Sequence, residues 1–126
     1  NFIDEWTNMR RKVARKYSQL LEGVENLIIP SEYDNAKHVY HLFVIRVEKR
    51  DALLEYLNIH GVATGIHYPL PLHLTKAYQF LGIEKGRFPV AEKICNDILS
   101  IPIYPELTDM HIEYVANLIK MFYSKR

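Results

Sequence analysis

Apolar residues at Phe2, Ile3, Trp6, Met9, Val13, Tyr17, Leu20 and Leu21 recur at steps of three and four. This spacing predicts an amphipathic helix over about residues 3–22, closed near Gly23. Its other face carries Arg10, Arg11, Lys12, Arg15 and Lys16. The stripe of Trp6, Met9 and Tyr17 reads as core or domain interface. Residues 27–29 form a short apolar run stopped by Pro30, and a polar linker follows through Lys37. The β-branched and aromatic run 38–47 reads as a strand buried on at least one face. A helix over about 50–58 then ends toward Gly61, a good C-terminal stop.

Residues 62–68 read as a second strand, halted by Pro69 and Pro71. A short helix is expected over 74–80, then a loop with Gly82 and Gly86. Pro89 suits the first turn of the next helix, whose apolar face would hold Ala91, Ile94, Cys95 and Ile98. Residues 99–104 read as a third strand, placed at an edge by Pro102. Thr108 is a suitable N-cap for a last helix, with Asp109 favourable to its dipole and Ile112, Val115, Ala116, Ile119 and Phe122 as its buried stripe. The order predicts an α+β domain, a small sheet covered by helices.

Composition narrows the classes. With 126 residues, 48% hydrophobic and 25% charged, the chain suits one modest globular core. A net charge of +1 gives no global reason to expect nucleic acid or membrane as partner. No apolar run reaches the roughly 20 residues that span a bilayer, and nothing like a signal peptide opens the chain. The single cysteine, Cys95, has no internal disulfide partner, so a cytoplasmic location is expected. Because the chain begins at Asn1 rather than Met, it is expected to be a piece of a longer protein.

The densest polar constellation is Gly65-Ile66-His67-Tyr68-Pro69-Leu70-Pro71-Leu72-His73. It sets two imidazoles and a phenol on a backbone stiffened by two prolines, groups able to bind a phosphate, a sugar hydroxyl or a cofactor. The bland alternative is a structural turn whose histidines satisfy backbone groups. Metal binding is not expected: His38 and His41, three apart on a strand, would face opposite sides, and His67 and His73 lack a third ligand. Cys95 falls on an apolar helix face and reads as packing rather than nucleophile. The basic face of the first helix reads as a solvated face rather than a nucleic-acid surface. Dinucleotide, P-loop and Ser-His-Asp signatures are absent.

Several ordered motifs together resemble the DegT/DnrJ/EryC1/StrS aminotransferases. They are Asp4-Glu5-Trp6 with Arg10-Arg11-Lys12-Val13-Ala14 and Tyr17, and Tyr40-His41-Leu42-Phe43-Val44-Ile45-Arg46 with Arg50-Asp51 and Gly61. Thr64-Gly65-Ile66-His67-Tyr68-Pro69 with Pro71-Leu72-His73-Leu74 is the most specific piece. Phe88-Pro89-Val90-Ala91-Glu92 and Leu99-Ser100-Ile101-Pro102-Ile103-Tyr104-Pro105-Glu106-Leu107 complete the series.

The resemblance implies the C-terminal small domain of a fold-type-I enzyme, with a short, mostly antiparallel sheet. Residues 1–126 would form one domain, 1–22 being an inter-domain helix and 27–126 the body, without the large domain that binds pyridoxal phosphate. The full-length enzyme would be a homodimer moving an amino group, usually from glutamate, onto a nucleotide-linked keto-deoxysugar for polysaccharide or antibiotic biosynthesis. The protein's part in such chemistry is a lysine Schiff base and a carboxylate at the pyridine nitrogen. None of the nine lysines here matches the family's Schiff-base motif, so no catalytic or cofactor-binding residue carries over. Substrate-binding roles carry over to His67 and Tyr68, with Pro71 shaping the turn and His73 either touching substrate or locking the loop from behind. The histidine–proline motif resembles that of enzymes acting at the 3-keto position of deoxyhexoses. Family members acting elsewhere on the sugar share much of it, which leaves the aminated carbon open. The alternative is a stand-alone regulatory module that kept the fold and lost catalysis.

Overall fold

The computed structural model describes residues 2–124, so Asn1 and the tail at Lys125 and Arg126 lie outside the described residues. Helix α1 spans Ile3–Leu21, close to its predicted limits. Asp4 and Glu5 in its first turn suit the positive end of the helix dipole. A short strand β1, Leu27–Ile28, follows, then β2, Phe43–Val47, and helix α2, Arg50–Ile59. Two 3₁₀ turns, Leu72–Leu74 and Lys76–Leu81, lead to helix α3, Pro89–Asp97. Strand β3, Ile98–Ile101, and helix α4, Asp109–Ser124, complete the fold. The three strands lie in the order β1-β2-β3, antiparallel throughout. This is the expected α+β class.

Strand β2 explains the layering. Phe43, Ile45 and Val47 are buried and alternate with half-buried Val44 and Arg46, the period of two that turns a strand's residues to opposite faces. The register pairs Phe43 with Ile101 and Ile45 with Leu99, which places those four side chains on one face. That face meets the helices: Tyr17 of α1 lies 5.3 Å from Phe43 between ring centroids, and Val13, Ala14, Leu53, Leu57, Ile112, Val115, Ala116 and Ile119 join the same core. Helix α4 packs against both α1 and α2. The opposite face, carrying Val44, Arg46, Ile98 and Ser100, looks toward α3.

Turn chemistry closes the elements. After α2, the Gly61 N–H bonds to the Asn58 carbonyl and the Val62 N–H to the Leu57 carbonyl, with Gly61 at φ +76°. This paired return over a left-handed residue is a Schellman stop, and buried Val62 supplies its apolar contact. At α4, the hydroxyl of Thr108 accepts from the His111 N–H at 3.4 Å, as expected of its cap.

Several sequence expectations are corrected. The strand predicted over 38–47 is confined to 43–47, because Tyr40 takes a positive φ of 49° and its ring turns back over His38 at 4.2 Å. The argument that set His38 and His41 on opposite faces of a strand therefore lapses. Residues 62–68 form no strand: only Gly65 pairs with Ser100, in an isolated bridge. The third strand of the sheet comes instead from the short run at 27–28. The helix predicted over 74–80 is 3₁₀ and carries no buried residue. Helix α3 buries none of its residues either, so Cys95 is only half-buried. Strand β3 stops at Ile101, one residue before Pro102, and lies at the end of the strand order as expected.

The apolar stripe of α1 divides. Tyr17 is fully buried, Met9 half-buried, and Trp6 is 46% exposed, stacked on exposed Phe2 at 5.9 Å. The basic face is not simply solvated. Arg10 donates to the Ile103 carbonyl at 3.0 Å, Arg11 holds Glu32 and the His38 carbonyl, and Lys16 reaches Asp109 and Glu113. Three of the five cations on that face thus tie α1 to other parts of the chain. No helix of the described residues is long and apolar enough to cross a membrane.

Two outcomes are expected. The exposed Phe2, Ile3 and Trp6 should make the 126-residue chain self-associate, read as a concentration-dependent sedimentation coefficient. A clean monomer over a wide range would count against this, and Trp6→Ser should weaken it. Separately, the Tyr17 hydroxyl is buried without a hydrogen-bond partner among the described residues, and burial pushes its pKa up, with Tyr104 adding to the effect. Tyr17→Phe should leave stability unchanged or raise it by up to about 1 kcal/mol in urea melts, since an unsatisfied buried hydroxyl costs about that or more.

Candidate functional site

The segment from Thr64 to Leu74 runs past the outer edge of β3 and meets α3 through His73 and Glu92. The Gly65 N–H donates to the Ser100 carbonyl at 3.1 Å and the Ser100 N–H to the Gly65 carbonyl at 2.8 Å, so the loop is anchored to β3 by one bridge. Pro69 and Pro71 allow no continuation of that ladder. The chain therefore leaves the sheet immediately after the bridge and turns Tyr68 and Leu70 outward.

The four residues singled out in the sequence have different fates. His67 is exposed, and its Nδ1 lies 2.9 Å from the hydroxyl of Ser100, a residue only 5% exposed. Tyr68 is 74% exposed, its ring edge-on to His67 at 5.9 Å between centroids. Pro71 is buried and starts the first 3₁₀ turn, with the Leu74 N–H bonded to its carbonyl at 3.0 Å. The His73 side chain is nearly covered, with Nε2 3.1 Å from a Glu92 carboxylate oxygen and its ring edge-to-face on Phe88 at 4.9 Å. The structure thus brings His67 and Tyr68 together at the surface and turns His73 inward. His73 has the geometry of a lock behind the loop.

Glu92 is the centre of that lock. Its carboxylate accepts from the Gly86 N–H at 2.8 and 2.9 Å and from the Phe88 N–H at 3.3 Å, in addition to His73. Burial works to raise its pKa, but the amides of Gly86 and Phe88 and the His73 imidazole outweigh it and hold the carboxyl below its usual value. One side chain of α3 therefore fixes both the loop before that helix and the turn that follows Tyr68.

Sequence alone does not distinguish Ser100 and Glu92 as site residues, and it places Gly65 in the constellation without a role. Glu92 in the first turn of a helix reads as ordinary complement to the dipole. Ser100 reads as one polar position in an apolar strand. Their partners lie 33 and 19 residues away in sequence, a relation that no local pattern displays. Among the described residues no group of three His, Cys, Asp or Glu side chains could hold a metal.

Among the described residues, no lysine stands in a site that fits pyridoxal phosphate. Lys12, Lys37, Lys49, Lys76, Lys85 and Lys93 are exposed, Lys16 is paired with Asp109 and Glu113, and Lys120 is half-buried on α4. None of these stands in an enclosed site beside the described loop, and Lys125 lies outside the described residues.

A small three-stranded antiparallel sheet with helices matches the small domain of solved aminotransferase structures. The profile of the DegT/DnrJ/EryC1/StrS aminotransferase family matches residues 1–120, and the chain belongs to that family. It is 44% identical over 123 residues to a pleiotropic regulatory protein of Geobacillus stearothermophilus, across 96% of this chain and 33% of the relative. It is 36% identical over 124 residues to dTDP-3-amino-3,6-dideoxy-alpha-D-galactopyranose transaminase of Aneurinibacillus thermoaerophilus, across 97% of this chain and 33% of that enzyme. The crystal structure of S. venezuelae DesV in complex with a ketimine intermediate matches with a TM-score of 0.95 at 31% identity, over 99% of this chain and 34% of that one. The chain spans about a third of the length of the curated relatives it matches.

The lock should be sensitive to acid. Because the folded carboxyl of Glu92 is held below its unfolded value, its stabilisation is complete above the ordinary glutamate pKa of about 4.3 and is lost as pH falls through the depressed value. The Gly86 amide should accordingly lose protection and shift in NMR spectra across that acid window. In Glu92→Gln the amide should already be perturbed at neutral pH and show no local titration.

Proposed function

We propose that this chain is the substrate-binding small domain of a pyridoxal-phosphate-dependent aminotransferase acting on a nucleotide-linked keto-deoxysugar. The observation that supports this most is the paired exposure of His67 and Tyr68 on a loop braced from behind by Glu92 and buried Pro71. A rigid loop presenting an imidazole and a phenol offers hydrogen bonds of fixed direction to sugar hydroxyls and phosphate oxygens, and bracing lowers the entropy lost on binding. His67 and Tyr68 would contact the substrate, Pro71 would set the turn, and His73 would hold it. The name of the Aneurinibacillus relative favours a dTDP-linked substrate aminated at carbon 3.

The lysine Schiff base and the carboxylate at the pyridine nitrogen would come from a large domain, α1 being the connection to it. The amino donor would be glutamate and the working form a cytoplasmic homodimer. The chain alone would be inactive. A second reading, a regulatory module without catalysis, draws on the name of the Geobacillus relative.

The test is made on the longer protein that contains this chain. Loaded with pyridoxal phosphate, it should aminate a dTDP-linked 3-keto-6-deoxyhexose with glutamate, and His67→Ala should lower kcat/KM at least about tenfold, as expected for a charge-assisted or paired contact. Absence of any amino transfer to nucleotide sugars would favour the regulatory reading. The 126-residue chain alone, mixed with pyridoxal phosphate and reduced with borohydride, should show only scattered, low-yield lysine labelling. A stoichiometric adduct on one lysine would overturn the assignment of the cofactor to another domain.

A further inference from the structure

The pairing of His67 with Ser100 carries information about the proton on the imidazole. Ser100 lies on β3 opposite Val44, on the α3-facing side of the sheet, and is 5% exposed. Its backbone N–H and carbonyl are both engaged by Gly65. Its hydroxyl makes a single hydrogen bond among the described residues, 2.9 Å to Nδ1 of His67. A buried hydroxyl has one proton and two lone pairs. Leaving its single donor unpaired costs the desolvation penalty of that group, while an acceptor lone pair can stay free beside a made bond. With one partner among the described residues, the hydroxyl proton is satisfied when it is donated to Nδ1, an arrangement that requires Nδ1 to be the bare nitrogen of the ring. In that arrangement the hydrogen sits on the other ring nitrogen, Nε2, which has no hydrogen-bond partner among the described residues.

A second, independent observation concerns the space the ring occupies. A Cβ built on Gly65 would lie 2.7 Å from Cε1 of His67 and 3.3 Å from Nδ1. The imidazole thus lies directly over the Gly65 backbone, in a position open only because that residue has no side chain. Gly65 is not at a positive φ, so its absent side chain, not its backbone freedom, is what the ring requires.

We propose that Ser100 and Gly65 are positioning residues that hold His67 as the Nε2–H tautomer, so that this imidazole meets its ligand as a hydrogen-bond donor to an acceptor oxygen. The tautomer is a property of the chain itself. The identity of that oxygen as one of a nucleotide sugar rests on the reading under Proposed function. A donor at Nε2 suits a phosphate or hydroxyl oxygen and does not suit proton abstraction, which needs a bare nitrogen.

The test is NMR of the uniformly ¹⁵N-labelled 126-residue chain at about pH 8, above the ordinary imidazole range of about 6.5. Long-range proton–nitrogen correlations should show His67 with a bare Nδ1 and a protonated Nε2. Ser100→Ala should convert it to a mixture of tautomers, and Ser100→Cys, which keeps the shape with a weak donor, should do so in part. Gly65→Ala should displace the ring and give the same mixture with the remaining amide spectrum preserved. A protonated Nδ1 in the unsubstituted chain, or a tautomer unmoved by all three substitutions, would overturn the proposal.

In the longer protein, His67→Gln, which places an amide N–H near the Nε2 position, should retain more substrate affinity than His67→Asn. Ser100→Ala should raise KM about fivefold with kcat little changed, the worth of one ordinary hydrogen bond. An Nε2–H tautomer in the chain together with unchanged KM in every His67 variant would leave the positioning role standing and remove the substrate-binding reading. Equal losses in His67→Gln and His67→Asn would remove the donor role.

Discussion

Strand β2 is the constraint on which the molecule depends. Five residues long, it is the strand that pairs on both sides, with β1 and with β3. Its Phe43, Ile45 and Val47 form the floor on which α1, α2 and α4 rest, and Tyr17 against Phe43 joins the first helix to that floor. Burying such side chains is worth roughly 2 kcal/mol each, a large share of what holds a domain of this size. The helices on this face are thus fixed in place by one short alternating sequence.

The other face of the same sheet bears the candidate site, and the division of labour follows from the pleat. Residues that alternate with the core floor, among them Ser100, look toward α3 and the loop that follows α2. That side carries less apolar burial and more hydrogen bonds with defined partners: Ser100 with His67, Glu92 with His73, Gly86 and Phe88. Such bonds add little net stability each but fix direction. A loop held by direction rather than by bulk can present His67 and Tyr68 outward without closing over them.

Legibility in the sequence followed the range of the interactions. Helices α1 and α4, the stop at Gly61 and the cap at Thr108 are set by neighbours a few residues apart, and periodicity displayed them. Strand limits were less visible. The run at 38–42 has strand composition, yet Tyr40 turns back on His38; residues 62–68 have it too, yet one bridge to Ser100 is all the pairing they make. Pairing depends on what lies alongside in space, and composition does not report that. In the site, the stretch from Gly65 to His73 stood out by its residue types, whereas Ser100 and Glu92 as partners of its histidines did not.

The sequence by itself determined the α+β class, the family and the loop that carries the polar groups, because each is written in local periodicity or in ordered motifs. Tertiary structure alone decided that His67 faces outward while His73 is locked to Glu92, and that Trp6 is exposed while Tyr17 is buried. The physical reason is the same in each case. A residue's type fixes which bonds it can make, but its burial and its partner are fixed by segments that folding brings alongside from tens of residues away.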